Sequence, residues 1–245
     1  LEGSANYFSG ATGIGVDDGA SLAIDGSGSV EIQASFNGIW LNKSGKLEIN
    51  DGTVVSHAGQ GQVGIGGDRD SSSGKASELI INGGTVKAYG GHNHATNYTY
   101  DGAGIGGAYG SSGCDVRITG GNVEADAGEG SSAAGIGGGY FGSNWDPSRY
   151  TAASGGNITI TGGYIKASSI GAAIGGSQTN TLSITGGAFD RGSVGGNGSV
   201  CGITPDNGYA VRSNEDSLAS EYPYRVYPSE NASIAFADSF NTQTY

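Results

Sequence analysis

Four aspartates lie in polar segments between apolar runs: Asp68, Asp70, Asp101 and Asp146. Hydrolysis of a glycosidic bond needs two carboxyl groups, about 5–5.5 Å apart for retention or about 6.5–9.5 Å apart for inversion. One of the two must keep its proton, which requires a raised pKa. The candidate pair joins Asp68 or Asp70 to Asp101 or Asp146. These residues are catalytic candidates only if the protein is an enzyme, and the sequence leaves that open because it carries no recognised catalytic signature.

Aromatic and hydrogen-bonding side chains share the same segments. A pyranose has an apolar C–H face that stacks on rings, and hydroxyls that bond to polar side chains. The candidate sugar-binding residues are Trp145, Tyr140, Phe141, Tyr109, Tyr98, Tyr100, His92, His94 and Arg149. Aromatic residues in long loops also pack on one another to form small satellite cores, and this second interpretation stays open.

Cation chemistry is the third possibility in these segments. The run Asp68-Arg69-Asp70 is either a Ca²⁺ site or a solvated polar turn. In a polysaccharide lyase, Ca²⁺ held by the two aspartates would neutralise a uronate, and the arginines or histidines would act as the base. His92 and His94 alternate near Asp101, but two alternating histidines are a weak metal signal. We therefore predict no metal site and no cofactor, with Ca²⁺ as the only ion left open.

A repeat positions these segments along the chain. Gly-Ile-Gly-Gly stands at 64–67, 104–107 and 135–138, Ala-Ile-Gly-Gly at 173–176, and degenerate copies at 13–16 and 38–41. Each copy is followed by two short apolar runs with a glycine turn between them. The runs alternate apolar and polar residues, as in Ile158-Thr159-Ile160-Thr161, which indicates half-buried strands. The central isoleucines are Ile14, Ile39, Ile65, Ile105, Ile136 and Ile174, spaced 25 to 40 residues apart.

Three short strands per repeat are typical of one coil of a solenoid. We predict an all-β chain: a right-handed parallel β-helix of about six three-stranded coils over residues 13–190. Residues 1–12 are predicted to form an N-terminal cap. Residues 191–245 break the repeat and are predicted to be an irregular or β C-terminal cap, or the lead into a following domain. Two outward ladders should mark the register: Asp25, Asn50, Asn82, Thr119, Thr161 and Thr185, and Lys87, Glu124, Lys166 and Asp190.

The inserted loops predict where a site would lie. Long loops follow the Gly-Ile-Gly-Gly strand at 68–78, 108–115 and 139–157, and precede it at 91–102 and 128–134. Both sets should flank the same sheet, with glycine at its outward positions. Glycine allows close approach to the backbone, so this pattern predicts a groove with a bare floor and two walls. The alternative is that these glycines only permit tight turns or contact with a neighbouring domain.

Composition excludes several classes of protein. Glycine makes up 50 of the 245 residues, and Lys+Arg 11 against Asp+Glu 23 gives a net charge of −12. A nucleic-acid partner needs a basic patch, so none is expected. The chain holds no apolar run long enough to predict membrane insertion. Cys114 and Cys201 are either a disulfide or two free thiols.

The repeats resemble those of large surface proteins of gut-dwelling and other anaerobic bacteria. The similar residues are Ala-Gly-Ile-Gly-Gly followed by Ile-Thr-Ile-Thr-Gly-Gly-Tyr-Ile-Lys-Ala, within roughly residues 60–215. The resemblance implies a pectin-lyase-like β-helix, a fold shared by polysaccharide lyases, glycoside hydrolases, carbohydrate-binding modules and adhesins. It also implies an extracellular or cell-surface location and a larger multidomain protein, of which we expect this chain to be a mature or excised segment. Fold alone does not choose among these activities.

Three functions follow from this sequence. The first is an extracellular carbohydrate-binding or adhesion module whose partner is a poly- or oligosaccharide glycan bound in the groove. The second is a glycoside hydrolase or polysaccharide lyase that uses groove carboxylates. The third is a structural stalk or spacer, against which the long loops argue. A carboxylate pair would favour the hydrolase, a continuous aromatic platform the binder, and a groove filled by its own side chains the spacer.

Overall fold

The computed structural model describes residues 6–67, 77–94, 98–128, 130–143, 151–152, 155–168, 170–171, 181–190, 209–213 and 224–228. Within these ranges the regular structure consists of β-strands, and no helix occurs. The strands are short because each spans one side of a coil before the chain turns. Most of them belong to three sheets, here called A, B and C, which are built from parallel pairs.

Each coil contributes one strand to sheet B, then one to sheet C, then one to sheet A. Sheet B contains β2 (Ile14–Val16), β5 (Ile39–Leu41), β8 (Ile65–Gly66), β13 (Ile105–Gly106), β16 (Ile136–Gly137) and β21 (Ile170–Gly171). Sheet C contains β3 (Ser21–Ile24), β6 (Lys46–Ile49), β9 (Glu78–Ile81), β14 (Asp115–Ile118), β19 (Asn157–Ile160) and β22 (Thr181–Ile184). The parallel strands of sheet A are β1 (Asn6–Gly10), β4 (Ser29–Ala34), β7 (Thr53–His57), β10 (Thr85–Tyr89), β15 (Asn122–Asp126), β20 (Tyr164–Ala167) and β23 (Ala188–Phe189). The predicted all-β parallel β-helix of three-stranded coils is confirmed.

The core is a set of stacked columns of aliphatic side chains. Ile105 pairs with Ile65 on one side and Ile136 on the other, and all three are fully buried. Leu47 and Leu79 stack in the same way in sheet C. Burying such a side chain contributes about 1.5–3 kcal/mol. A few inward residues per coil therefore suffice to hold a glycine-rich chain together.

The register differs from the prediction in the last coil. Ile170, not Ile174, pairs with Ile136 and is buried in the core. Ile-Gly occurs at both positions, so the sequence pattern alone could not separate them. The strand before it ends at Ala167, and the next strand begins at Ile170, only three residues later.

Strands of sheet A also occur in both segments that were predicted to be caps. Residues 6–10 form β1, which pairs in parallel with β4 and so extends sheet A into the segment assigned to a cap. Beyond β23, an antiparallel pair continues sheet A: β25 (Tyr224–Pro228) and β24 (Tyr209–Ser213). Val226 of this pair is buried in the main core. The rest of 191–245 lies outside the described residues, and its role as a cap stays a prediction.

The two outward ladders form hydrogen bonds and ion pairs along the stack. Asn50 Nδ2 donates to Asp25 Oδ1 at 2.8 Å, Asn82 Nδ2 donates to Asn50 Oδ1 at 2.8 Å, and Thr119 Oγ1 donates to Asn82 Oδ1 at 2.9 Å. On sheet A, Glu124 lies between Lys166 at 3.0 Å and Lys87 at 3.4 Å. Because equivalent residues of successive coils stand side by side, these ladders fix the register of the strands.

Candidate functional site

The inserted loops pair with one another. β11 (His92–His94) and β12 (Tyr98–Asp101) precede sheet B in one coil, and β17 (Tyr140–Ser143) and β18 (Thr151–Ala152) follow it in the next. These four strands form an antiparallel sheet, here called sheet D, in the order β11-β12-β17-β18. The link between the two loop sets is the pairing of β12 with β17, in which Asp101 stands opposite Tyr140. This pairing satisfies backbone hydrogen-bonding groups of both loops. The same groups would lack partners if the loops formed two separate walls.

The prediction of an open groove with a glycine floor is wrong for the described coils. Residues 63–67, 101–108 and 133–139 are all buried. The chain closes tightly around the short strands: the Ala103 N–H donates to the Gly107 carbonyl at 2.8 Å, and the Ala134 N–H donates to the Gly138 carbonyl at 3.0 Å. The sheet B strands of these three coils, β8, β13 and β16, are therefore not accessible to a glycan.

The glycines of this motif have a conformational role instead. Gly66, Gly106 and Gly137 have φ of +150°, +134° and +147°, a region that favours glycine. A Cβ added to Gly106 would overlap the carbonyl oxygen of Gly137 and lie 2.9 Å from its carbonyl carbon. The alternative that these glycines permit tight turns and close stacking therefore describes the structure.

A small cluster packs against this region, and the sequence interpretation missed it. Val63, Ala103 and Ala108 are buried together, with Trp40 packed partly over them. Trp40 occupies the position that Gly66 holds in the next coil. The degenerate copy Gly-Ile-Trp-Leu at 38–41 could have predicted this cluster. It places a large side chain where later coils have glycine, and such a side chain must pack against something outside the strand.

One face of sheet D is aromatic. Tyr98 and Tyr100 alternate on β12, and Phe141 pairs with Tyr100, so all three rings lie on the same face. Tyr109, from the loop after β13, packs edge-on against Tyr100 with ring centroids 5.2 Å apart. Phe141 contacts Tyr100 at 5.3 Å, Tyr98 at 6.1 Å and Tyr109 at 6.4 Å. These four side chains, named the aromatic face below, form one continuous surface.

The aromatic face is both packed and exposed. Tyr98 is 37% exposed and Tyr109 44% exposed, while Tyr100 and Phe141 are half-buried. Gly61 lies beneath, where an added Cβ would come 2.9 Å from Tyr100 Cβ, and its carbonyl accepts the Tyr109 N–H at 2.8 Å. The rings therefore pack on one another as a satellite core does, and their exposed area leaves the sugar platform a prediction.

Two amides lie on or next to this face. Asn93 pairs with Tyr100 across β11 and β12, and therefore shares its face. Its Nδ2 donates to Oε1 of the exposed Gln60 at 3.1 Å. Amides offer both donors and acceptors without charge. The arrangement thus adds uncharged hydrogen-bonding groups to the rings.

The opposite face of sheet D carries the other candidates: His92, His94, Asp101 and Tyr140. Asp101 is fully buried, and its Oδ2 accepts the Ser132 N–H at 2.8 Å. The half-exposed His94 lies with Nε2 3.3 Å from Asp101 Oδ1, which has no hydrogen-bond partner among the described residues. His92 and His94 contact edge-on at 5.7 Å. Asp101 therefore holds the 130–134 segment against sheet D, and its carboxylate does not face solvent.

Five predicted site residues lie outside the described residues: Asp68, Asp70, Trp145, Asp146 and Arg149. The partner that Asp101 would need in a hydrolase is among them, so the catalytic pair stays a prediction. The described part of the chain holds no group of three or more His, Cys, Asp or Glu side chains arranged to bind a metal ion. Ca²⁺ binding by Asp68 and Asp70 likewise stays a prediction.

Two further features, the cysteines and the absence of a membrane-spanning helix among the described residues, lie outside sheet D. Cys114 is a buried free thiol, and Cys201 lies outside the described residues. Burial, followed by the charge of Asp115, raises the pKa of the Cys114 thiol to about 12. Among the residues the structure describes, no helix is long and apolar enough to cross a membrane.

Comparison with known families agrees with the coil architecture. Residues 79–109, 116–140 and 158–178 match the family model for a beta helix repeat. These three segments are thus similar to β-helix repeats, in agreement with the parallel coils of the structure. The first match includes β11 and β12, whereas β18 and all of β17 after Tyr140 lie between the second and third matches. Comparisons with curated proteins and with solved structures gave no match.

Proposed function

We propose that this β-helix repeat chain is a non-catalytic carbohydrate-binding or adhesion module that holds a glycan on the aromatic face. The observation that carries the proposal is the continuous surface of Tyr98, Tyr100, Tyr109 and Phe141, with ring centroids 5.2 to 6.4 Å apart. A surface of this kind provides stacking area for the C–H faces of sugars. The proposed site replaces the glycine groove, whose floor is buried.

Pre-organisation supports binding at this face. Each ring already packs against at least two others, and Gly61 fixes the backbone beneath them. Little side-chain freedom is then lost when a ligand binds, which preserves affinity. Asn93 and Gln60 supply hydrogen bonds to hydroxyls.

Charge indicates the class of glycan. The chain carries a net charge of −12, and the aromatic face itself contains no ionisable carboxylate or basic side chain. A polyuronate or sulfated glycan would be repelled by the protein as a whole. The proposed ligand is therefore a neutral poly- or oligosaccharide, in an extracellular or cell-surface protein of several domains.

A glycan array with the purified chain tests the proposal. Reducing-end release and absorbance near 235 nm, followed on every hit, separate binding from hydrolysis and from lyase cleavage. We expect binding without product, and a loss of roughly tenfold or more in affinity, equivalent to about 1.4 kcal/mol, for Tyr109→Ala. Tyr164→Ala, which removes a tyrosine from sheet A, is the matched control and should bind normally.

Three outcomes would contradict the proposal. Product formation would favour the hydrolase or lyase and direct mutation to Asp68, Asp70, Asp101 and Asp146. Binding that survives Tyr109→Ala and Phe141→Ala would place the site elsewhere. Neither binding nor product across the array would favour the spacer.

A further inference from the structure

The turn that leads from sheet A to sheet B lies next to the aromatic face. This turn, here called the A–B corner, covers residues 35–38 in the second coil and 58–64 in the third. In the fourth coil it covers residues 90–104 and includes β11 and β12 of sheet D. Phe36 is 54% exposed in the second coil, and Gln60 is exposed in the third. The corner therefore offers solvent-accessible side chains beside the rings of sheet D.

Backbone contacts stack this corner from one coil to the next. The Gly59 N–H donates to the Phe36 carbonyl at 2.7 Å, and a Cβ added to Gly91 would overlap the Gly59 carbonyl oxygen. Gln60 follows Gly59 directly, and its side chain accepts the hydrogen bond from Asn93 Nδ2 at 3.1 Å. Phe36, Gln60 and Asn93 therefore lie on three successive levels of the solenoid, and together they are named the corner strip below.

The corner strip leads onto the aromatic face. Asn93 pairs with Tyr100 and shares its face of sheet D. Phe36 precedes β5, and Phe141 follows β16, which is three strands further along sheet B. With about 4.8 Å between neighbouring strands, the levels of these two rings differ by about 14 Å along the solenoid axis. A single sugar is similar in size to one ring, so only a linear oligosaccharide can contact both ends.

The corner strip is uncharged. Residues 35–38 and 58–64 contain no ionisable side chain. The outward face of sheet A differs, because Glu124 there lies between Lys87 and Lys166. Amide side chains and an apolar ring match the hydroxyls and the C–H faces of a neutral sugar, whereas a charged ligand would find no counter-charge on this strip.

We propose that the ligand of the aromatic face is a linear, neutral oligosaccharide of several units that runs along the solenoid axis over the corner strip, with Phe36 as a second stacking site. This inference rests on the proposed function and adds to it a requirement for ligand length. The aromatic face holds one end of the oligosaccharide, and Asn93 and Gln60 bond to hydroxyls of the middle units. The ring of Phe36 stacks on a unit at the other end, which a short oligosaccharide does not reach.

Calorimetric titration with β-1,4-linked oligomers of glucose, mannose and xylose, each with two, four and six units, tests this proposal. We expect the wild-type chain to bind the hexasaccharide of at least one series more tightly than its disaccharide. Phe36→Ala should lower the affinity for that hexasaccharide about three- to tenfold, the worth of one aromatic contact, and leave the affinity for the disaccharide unchanged. Tyr109→Ala should instead weaken binding at every length.

Two variants control for effects other than the loss of the Phe36 ring. Phe36→Tyr keeps the ring and should bind every oligomer as the wild-type chain does. Tyr7→Ala removes a ring that is 61% exposed on the outward face of sheet A, where Tyr7 pairs with Glu31, and it should also bind normally. Circular dichroism spectra that match the wild type show that each variant has folded.

The outcomes separate this proposal from the proposed function. If Phe36→Ala changes no affinity while Tyr109→Ala weakens binding, the aromatic face binds alone and the corner strip is refuted. Equal affinity for disaccharide and hexasaccharide, or glycan-array binding without binding to any of these oligomers, would also refute the strip and leave the proposed function in place. An absence of binding to every glycan would overturn both.

Discussion

The substitution Gly106→Ala tests whether the motif glycines act in folding or in ligand approach. Gly106 has φ of +134°, and an added methyl would overlap the Gly137 carbonyl of the next coil. Gly15 is its equivalent in the first coil, separated from it by the two strands that carry Trp40 and Gly66. An added Cβ at Gly15 meets nothing within 4 Å. The two variants make the same chemical change at the same register position.

The expected cost at Gly106 has two parts. Holding alanine in a glycine-only backbone region costs about 1–3 kcal/mol. Forcing a methyl against the backbone of the stacked coil adds about 1–3 kcal/mol, as in an overpacked core. The total, roughly 2–6 kcal/mol, is a large part of the usual 5–15 kcal/mol stability of a domain. At Gly15 we expect a change within about 0.5 kcal/mol, as for ordinary surface positions.

Urea denaturation followed by circular dichroism measures both variants. The midpoint of Gly106→Ala should fall well below that of the parent chain, while Gly15→Ala should overlay the parent. Equal midpoints for the two variants would refute the steric argument. A Gly106→Ala chain that keeps its stability but loses glycan binding would restore the interpretation of these glycines as a ligand-facing floor.

Three further predictions concern the ladders and the thiol. Asn82→Ala should lower the free energy of unfolding by about 1.5 kcal/mol in urea titrations, because three exposed ladder hydrogen bonds are lost, each worth about 0.5 kcal/mol at the lower end of the usual range; an unchanged midpoint would show that the ladder only follows the register. Burial raises the pKa of Glu124, but its hydrogen bond with Lys166 and the nearby lysine charges outweigh burial and hold that pKa below its usual 4.5. The ionised Glu124 therefore contributes at most about 1 kcal/mol, at this exposure, to the free energy of unfolding above pH 4.5, and this contribution is lost as pH falls through the lowered pKa. Glu124→Gln should flatten that part of a curve of stability against pH. In a Cys201→Ser background, the buried Cys114 thiol should react with a disulfide reagent at neutral pH only on unfolding, and rapid reaction of the native chain would contradict its burial.

Much of the fold was predictable because stacking repeats each constraint in every coil. Alternation in runs such as 158–161 gave the strand type, and the ladder from Asp25 to Thr119 gave the register. In a solenoid each coil contacts only the coils next to it, so the local sequence pattern of each repeat largely determines the fold. The choice between Ile170 and Ile174 failed where two Ile-Gly pairs lie within one coil. The number of residues between the sheet A strand and the next sheet B strand determines which isoleucine enters the core. The apolar pattern does not specify that number.

The site was less predictable because it depends on how two loops of different coils meet. Tyr98, Tyr100 and Phe141 were recognised as candidates, but their grouping follows from the pairing of β12 with β17. The same pairing places Tyr140 on the opposite face with Asp101. Strand alternation would have separated Tyr140 from Phe141, had the loops been recognised as strands. Their glycine-rich, polar composition instead favoured irregular walls.

The motif and the aromatic face are connected through the length of the sheet B strands. In the first two coils these strands have three residues, ending at Val16 and Leu41, and no inserted sheet follows them. Where Gly-Ile-Gly-Gly replaces that pattern, the strand shortens to two residues, because glycine at positive φ turns the chain out of the sheet at once. β12, which leads into one of these strands, and β17, which leaves the next one, pair beside them. In the proposed function, the glycines would act only indirectly, through the course of the loops that carry the rings.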